Sequence, residues 1–329
     1  MYDLEVERIA EIIKEKGYSR VCLQFPEGLR DHAAEVASQI EALTGAEVLI
    51  SANPCYGACD LADAQAAELG AEAVFHFGHA QLLKKTKIPV HYIEVRLPHD
   101  PLPLLEEHLA SIPRRVGLIT TVQHVHLLER ARKFLEGRGR EVRIGEARGR
   151  VRYPGQVLGC SFACARSIAG EVEGFAYLGS GDFHALGVAL ATAKPVLVFD
   201  LLQGEVRSIA EKRERFLRQR FAAIAKARQG KRFGIVVGEK LGQRRLALAR
   251  RIKHRLKSLG KEAYLIHLTE VTPENLIYFR RLDAFVNTAC PRIAIEDAPR
   301  FPRPMLTPQE LEIALGERSW DSYEMDEME

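Results

Sequence analysis

Residues 18–51 read YSRVCLQFPEGLRDHAAEVASQIEALTGAEVLIS. A basic residue leads into an apolar run, VCLQF, that ends in a Pro-Glu-Gly turn. DHAAEVASQIEALTG then carries apolar residues at helical spacing and stops at Gly, which accepts the left-handed cap. AEVLIS is a second apolar run. Strand, helix, strand in this order predicts a parallel pair with the helix as crossover. The same pattern recurs at RRVGLITTVQHVH (114–126) with LLERARKFLEGRG, and at KRFGIVVGEKLGQRR (231–245) with LALARRIKHRLKSLG. Such internal repetition is read before any motif.

Each unit continues alike. Second strands are expected at 46–51, 140–145 and 261–268, and third strands at 71–78, 172–181 and 282–289. A fourth is expected at 89–95 and 195–202. The third unit has only RPMLT (303–307) to offer. Short apolar runs alternating with helices predict parallel sheets covered on both faces. The fold class is therefore α/β: three similar repeated domains, each a small parallel sheet flanked by helices. Their bounds are read as 1–111, 112–206 and 207–329. EVRSIAEKRERFLRQRFAAIAKARQG (205–230) reads as one charged helix packing through Ile209, Phe216, Phe221 and Ile224. The acidic C-terminal tail, GERSWDSYEMDEME, is expected to be loose.

The 329 residues carry 47 Lys+Arg against 44 Asp+Glu, a net charge of +3, so no strong basic field favours direct nucleic-acid binding. A 47% hydrophobic and 28% charged composition is that of a globular protein. No run approaches the ~18 apolar residues of a membrane span. The opening MYDLEVERIAEIIKEKG is acidic and amphipathic, unlike a secretory signal. A cytoplasmic protein with no membrane partner is expected. Six cysteines are too sparse here for a disulfide scaffold and point to metal or redox chemistry.

In open parallel sheets, ligands bind beyond the carboxyl ends of the strands. Five cysteines fall in such loops: Cys55 and Cys59 in NPCYGACD, Cys160 and Cys164 in GQVLGCSFACAR, and Cys290 in TACPR. Cys22, inside RVCLQF, reads as core. Two metal sites fit the spacing. Both C-x-x-x-C pairs could form a four-thiolate zinc or iron–sulfur site. One Cys per unit could instead hold a 4Fe–4S cluster with one iron open. The C-x-x-x-C-x-x-C signature of ordinary radical S-adenosylmethionine enzymes is absent, as are Walker, Rossmann and Ser-His-Asp patterns.

QFPEGL, YGACD, HFGH, TTVQHVH, GQVLGC, GSGDFHALG and ACPR occur in this order over nearly the whole chain. Together they resemble the archaeal-type diphthamide biosynthesis enzymes, the 2-(3-amino-3-carboxypropyl)histidine synthases. The resemblance implies three domains around a central 4Fe–4S cluster, with Cys59, Cys160 and Cys290 as the metal ligands. Cys55 and Cys164 depart from the family pattern and read as helical i,i+4 neighbours of the ligands. It implies a transferase of a non-standard radical type. The enzyme cleaves the S–Cγ bond of S-adenosylmethionine and adds the 3-amino-3-carboxypropyl group to imidazole C2 of a histidine in translation elongation factor 2. Methylthioadenosine is released. A homodimer and an external electron donor are implied as well.

Candidate contacts to S-adenosylmethionine are polar or Gly positions at strand ends: Gln24, Pro26, Glu27 and Gly28, then His79, Gln123, the turn Gly179-Ser180-Gly181, and His184. Asp60 either caps a helix or meets the methionine ammonium. Three other readings remain. A quinolinate synthase-like dehydratase also resembles a triplicated three-Cys cluster protein, a non-catalytic partner subunit would only pass electrons, and a four-Cys zinc scaffold would hold no iron.

Overall fold

Arg20, Arg115 and Arg232 each open the first strand of a sheet, and each faces a Glu at the start of the second strand: Glu47, Glu141 and Glu262. The computed structural model describes residues 2–328. Thirteen strands form in it. In the first unit these are β1 Arg20–Gln24, β2 Glu47–Ser51, β3 Ala73–Phe77 and β4 Val90–Ile93. The second has β5 Arg115–Thr120, β6 Glu141–Arg143, β7 Gly174–Leu178, β8 Val196–Asp200 and β9 Glu205–Ser208. The third has β10 Arg232–Gly238, β11 Glu262–Leu268, β12 Ala284–Asn287 and β13 Met305–Leu306. The sheet orders are β2-β1-β3-β4, β6-β5-β7-β8-β9 and β11-β10-β12-β13. All pairings are parallel except β8 with β9.

The repeats share a locking device. An acid directly before the third strand accepts backbone N–H groups at the start of the first. Glu72 accepts from Arg20 at 3.0 Å, Glu173 from Arg115 at 3.0 Å, and Asp283 from Lys231 and Arg232 at 2.9 and 2.8 Å. These bonds hold all three carboxyls below their ordinary range, although burial opposes the shift at Asp283. The crossover helices Ala33–Thr44, Leu128–Glu136 and Leu246–Ser258 run into left-handed glycines, Gly45, Gly139 and Gly260. At the last two the chain closes with N–H bonds of 3.0 Å from Arg140 to the Leu135 carbonyl and from Lys261 to that of Leu256.

Four expectations change. RPMLT does supply a fourth strand, the two-residue β13. EVRS is not helical: it adds to β8 as an antiparallel edge, and the helix runs Ala210–Arg228. On that helix Ile209, Phe216 and Ile224 are buried, but Phe221 is exposed and lies edge-on to Trp320 at 5.2 Å. Arg220 is buried instead, donating to Glu310 at 2.7 Å and to the Met305 carbonyl at 2.6 Å. The tail is not loose either. Met325, Asp326 and Met328 are buried, because this segment docks on the loops of the second and third sheets.

Candidate functional site

The carboxyl ends of the three sheets converge, and one segment, residues 239–245 after β10, joins them. Gly242 donates its N–H to the Cys59 carbonyl at 3.2 Å. A Cβ at Gly242 would lie 2.4 Å from Cys59 Cα, so this backbone approach requires glycine. Gln243 Nε2 donates to Cys59 Sγ at 3.4 Å. Lys240 Nζ pairs with Asp60 at 2.7 Å and Glu270 at 2.6 Å, over the Tyr56 ring. Asp60 therefore neither caps a helix nor stands free. It ties the first domain to the third.

Cys160 follows the long loop after β6. Arg150, on that loop, points Nη1 at Cys160 Sγ (3.6 Å) and donates Nη2 to the Gly242 carbonyl at 2.6 Å. Met328 donates its N–H to the Cys160 carbonyl at 2.8 Å. Glu327 accepts from the Phe162 N–H at 2.8 Å and from Arg166 at 2.6 Å. Cys290 precedes the short helix Pro291–Ile295, and Asn287 Nδ2 donates to its carbonyl at 2.7 Å. Arg245 donates to the Thr288 and Ala289 carbonyls at 3.1 and 3.0 Å and pairs with the buried Asp326.

The three sulfurs feel one another. Burial first, then the charges of Cys59 and Cys160, pushes the Cys290 thiol up to about 12. Burial also lifts Cys160 to about 11, with Arg150 opposing and Cys59 adding to the rise. Burial is the largest cause at Cys59 too, with Gln243 opposing. These three half-buried thiols, one from each domain, are drawn toward one another by Arg150 and the 239–245 segment. Such a donor set suits a soft metal or an iron–sulfur cluster, because metal ionises the thiols and removes the cost of burying bare thiolates.

The other cysteines are engaged elsewhere. Cys22 packs in the first sheet with Ala66, Ala71 and Val74. Cys164 is fully buried and donates to the Glu146 carbonyl at 3.0 Å. Cys55 is buried beside His76 and His79. Neither pair forms a helical i,i+4 step, since Cys55, Cys59 and Cys160 all lie outside helices. No compact four-cysteine group forms among the described residues. Cys55, His76 and His79 bring ligand atoms within 4.8 Å of one another. The two imidazoles are also hydrogen-bonded to the chain, His79 Nδ1 lying 3.1 Å from the Phe77 carbonyl. His76 Nδ1 donates to Gln24 Oε1 (2.9 Å), which leaves Nε2 to accept from His79 Nδ1 (3.0 Å).

The strand-end residues divide by role. Gln24 is buried and spent on the chain: Nε2 donates to the Asp60 carbonyl at 2.8 Å, and Oε1 accepts from the Ala62 N–H at 3.1 Å. It clasps the segment after Cys59. Gln123 donates to the Gly78 carbonyl at 2.6 Å, bridging the first and second domains. Pro26 is half-buried and packs near Gly78, while Glu27 and Gly28 are exposed. Ser180 and Gly181 are exposed beside buried Gly179, and Gly181 turns with φ 74°. His79 and His184 are both held down to about 4, chiefly by burial, and so stay neutral near pH 7.

Sequence reading missed Arg150, Lys240, Gln243 and Arg245. The repeats held one signal: Gln243 follows β10 as Gln24 ends β1 and Gln123 follows β5. The other three pair with partners far along the chain, and nothing local marks them.

A family model for diphthamide synthesis proteins matches residues 25–325. The chain belongs to the diphthamide synthesis protein family. Among its relatives, the 2-(3-amino-3-carboxypropyl)histidine synthase of Pyrococcus horikoshii is 40% identical over 331 residues, covering 100% of this chain and 94% of that one. Subunit 1 of the human 2-(3-amino-3-carboxypropyl)histidine synthase is 31% identical, covering 99% of this chain and 75% of its own length. The crystal structure of Pyrococcus horikoshii Dph2 with a 4Fe–4S cluster superposes with a TM-score of 0.92 at 39% identity, covering 99% of this chain and 94% of that one. Family membership and the three-sheet convergence thus agree over the same residues.

Proposed function

We propose that this chain carries out the first step of diphthamide formation. It transfers the 3-amino-3-carboxypropyl group of S-adenosylmethionine to imidazole C2 of a histidine in translation elongation factor 2, releasing methylthioadenosine. The observation that carries the proposal is that Arg150 and the 239–245 segment gather the loops of Cys59, Cys160 and Cys290, one from each sheet, in a family whose Pyrococcus horikoshii member holds a 4Fe–4S cluster. In our reading these three residues hold such a cluster. Three thiolates leave one iron open for substrate. When bound, the cluster supplies the electron that cleaves the S–Cγ bond. The chain's own residues do the rest: they fix the thiols, orient S-adenosylmethionine and exclude water.

Within this reading, Gln24 braces the Cys59 loop and Gln123 the joint between the first two domains, while Pro26, Glu27, Gly28, His79 and His184 border the substrate space. The Gly179-Ser180-Gly181 turn offers backbone N–H groups to a carboxylate or to ribose hydroxyls. The units 1–111, 112–206 and 207–329, with the second boundary moved to the end of β9 at Ser208 because that strand pairs with β8, complete the proposal with a homodimer, an external reductant and a cytoplasmic setting. The described residues contain no helix long and apolar enough to cross a membrane.

Anaerobic reconstitution tests it. Cys59→Ala, Cys160→Ala and Cys290→Ala should each lose iron, while Cys55→Ala and Cys164→Ala should keep it. The reduced wild-type chain should convert S-adenosylmethionine to methylthioadenosine and modify elongation factor 2 without a second subunit. Zinc without iron, 5′-deoxyadenosine as product, or unconsumed S-adenosylmethionine would each overturn the reading.

A further inference from the structure

The three sulfurs are not equivalent. Cys59 Sγ lies 3.4 Å from Gln243 Nε2, a neutral amide donor, and Cys160 Sγ lies 3.6 Å from Arg150 Nη1, a charged one. Among the described residues, no side-chain N–H is directed at Cys290 Sγ. Asn287 donates to its carbonyl oxygen, and the donor at its sulfur is the backbone N–H of Arg292. Gln243 is buried and Arg150 half-buried, so both donors act where water screens little. Their placement is also fixed. Arg150 spans two domains through the Gly242 carbonyl, and Gly242 itself is pinned on Cys59.

We propose that Arg150 and Gln243 are positioning residues that raise the reduction potential of the cluster, by donating N–H groups to two of its three sulfur ligands. The inference rests on the ligand assignment above and deepens it. Adding an electron to an iron–sulfur cluster places negative charge on its sulfurs. Donors directed at those sulfurs stabilise the reduced form more than the oxidised one, so hydrogen bonds to sulfur are among the determinants of potential. The charged Arg150 should act more strongly than the neutral Gln243. An external reductant would then find the cluster easier to reduce, without any change in its ligands.

The test is an anaerobic redox titration followed by electron paramagnetic resonance, with iron per chain measured on the same samples. Gln243→Met keeps the length of the side chain and removes only the donor. Arg150→Met removes donor and charge, and Arg150→Lys keeps the charge on a different head group. We expect unchanged iron in Gln243→Met and a midpoint potential shifted below wild type. Arg150→Met should shift further, with Arg150→Lys between it and wild type. If Arg150→Met loses iron, Gln243→Met and Arg150→Lys decide the matter. Potentials equal to or above wild type in those iron-loaded variants overturn the inference while leaving the ligand assignment intact. A wild-type chain that binds no cluster overturns both.

Discussion

At residue scale, Gly242 and Cys59 are one contact. No side chain fits at 242, because its Cβ would sit inside the Cys59 backbone. Gly242→Ala should therefore push the Cys59 turn away from its partners. The expected result is loss of iron at near-native secondary structure, read by iron content beside circular dichroism. His124 gives a second prediction. It is buried, and burial is the main cause holding it down to about 4 from an ordinary 6.5. The unfolded chain binds this proton more readily than the folded one, so folding stability falls as pH drops from 6.5 toward 4. Between pH 6.5 and 5 one such group contributes about 1.6 kcal/mol of that loss. His124→Gln should shrink the difference between denaturation curves at pH 7 and pH 5. An unchanged difference would remove His124 from the acid limb. The cysteines at strand ends were legible because a parallel sheet announces where its sites lie. Arg150 was not, since its role depends on a carbonyl in another domain.

At the scale of elements, local pattern and tertiary context separate cleanly. The first three strands of every unit and all three glycine stops follow from apolar runs and cap chemistry. EVRS was misread because its charges continue the helical pattern of the following segment. Pairing with the exposed side of β8 decides its state, and that partner lies outside the local window. The same helix hides a second surprise, Arg220, whose charge argues for solvent although its spacing of four from both Phe216 and Ile224 sets it on their buried face. Its carboxylate partner, Glu310, sits at the start of the helix Pro308–Leu315, in a capping box with Thr307. Glu310 is fully buried and also accepts from the Tyr323 hydroxyl at 3.0 Å. Arg220→Met would leave that charge without its main partner. A cost of about 3–5 kcal/mol is expected, measured by chemical denaturation. Arg220→Met combined with Glu310→Leu should recover part of it, and a double variant no better than the single would show that the cap matters more than the pair.

At the scale of the molecule, each repeat is small for a domain and buries little surface alone. The joints therefore matter: Lys240 with Asp60, Arg150 with Gly242, Gln123 with Gly78, and the C-terminal segment with both of the later cysteine loops. That segment was expected to be loose on composition alone. Acidic residues with two methionines give no period, but Glu317, Asp326 and Glu327 each find an arginine fixed by the fold. Asp326 is buried on Arg245, which also holds the carbonyls before Cys290, and Glu327 holds the backbone two residues beyond Cys160. Breaking a buried pair by removing one partner costs about 3 kcal/mol or more. Asp326→Ala with Glu327→Gln should therefore free both loops together. Hydrogen exchange should quicken across residues 160–166 and 288–292, and iron should leave faster under a chelator. Glu317→Gln is the control. It breaks the pair with Arg255, whose side chain is 54% exposed, where such contacts are worth little. If the tail variant exchanges no faster than this control, the segment is a passenger on the fold. If only one loop loosens, the two acids act separately and the tail does not couple the second domain to the third.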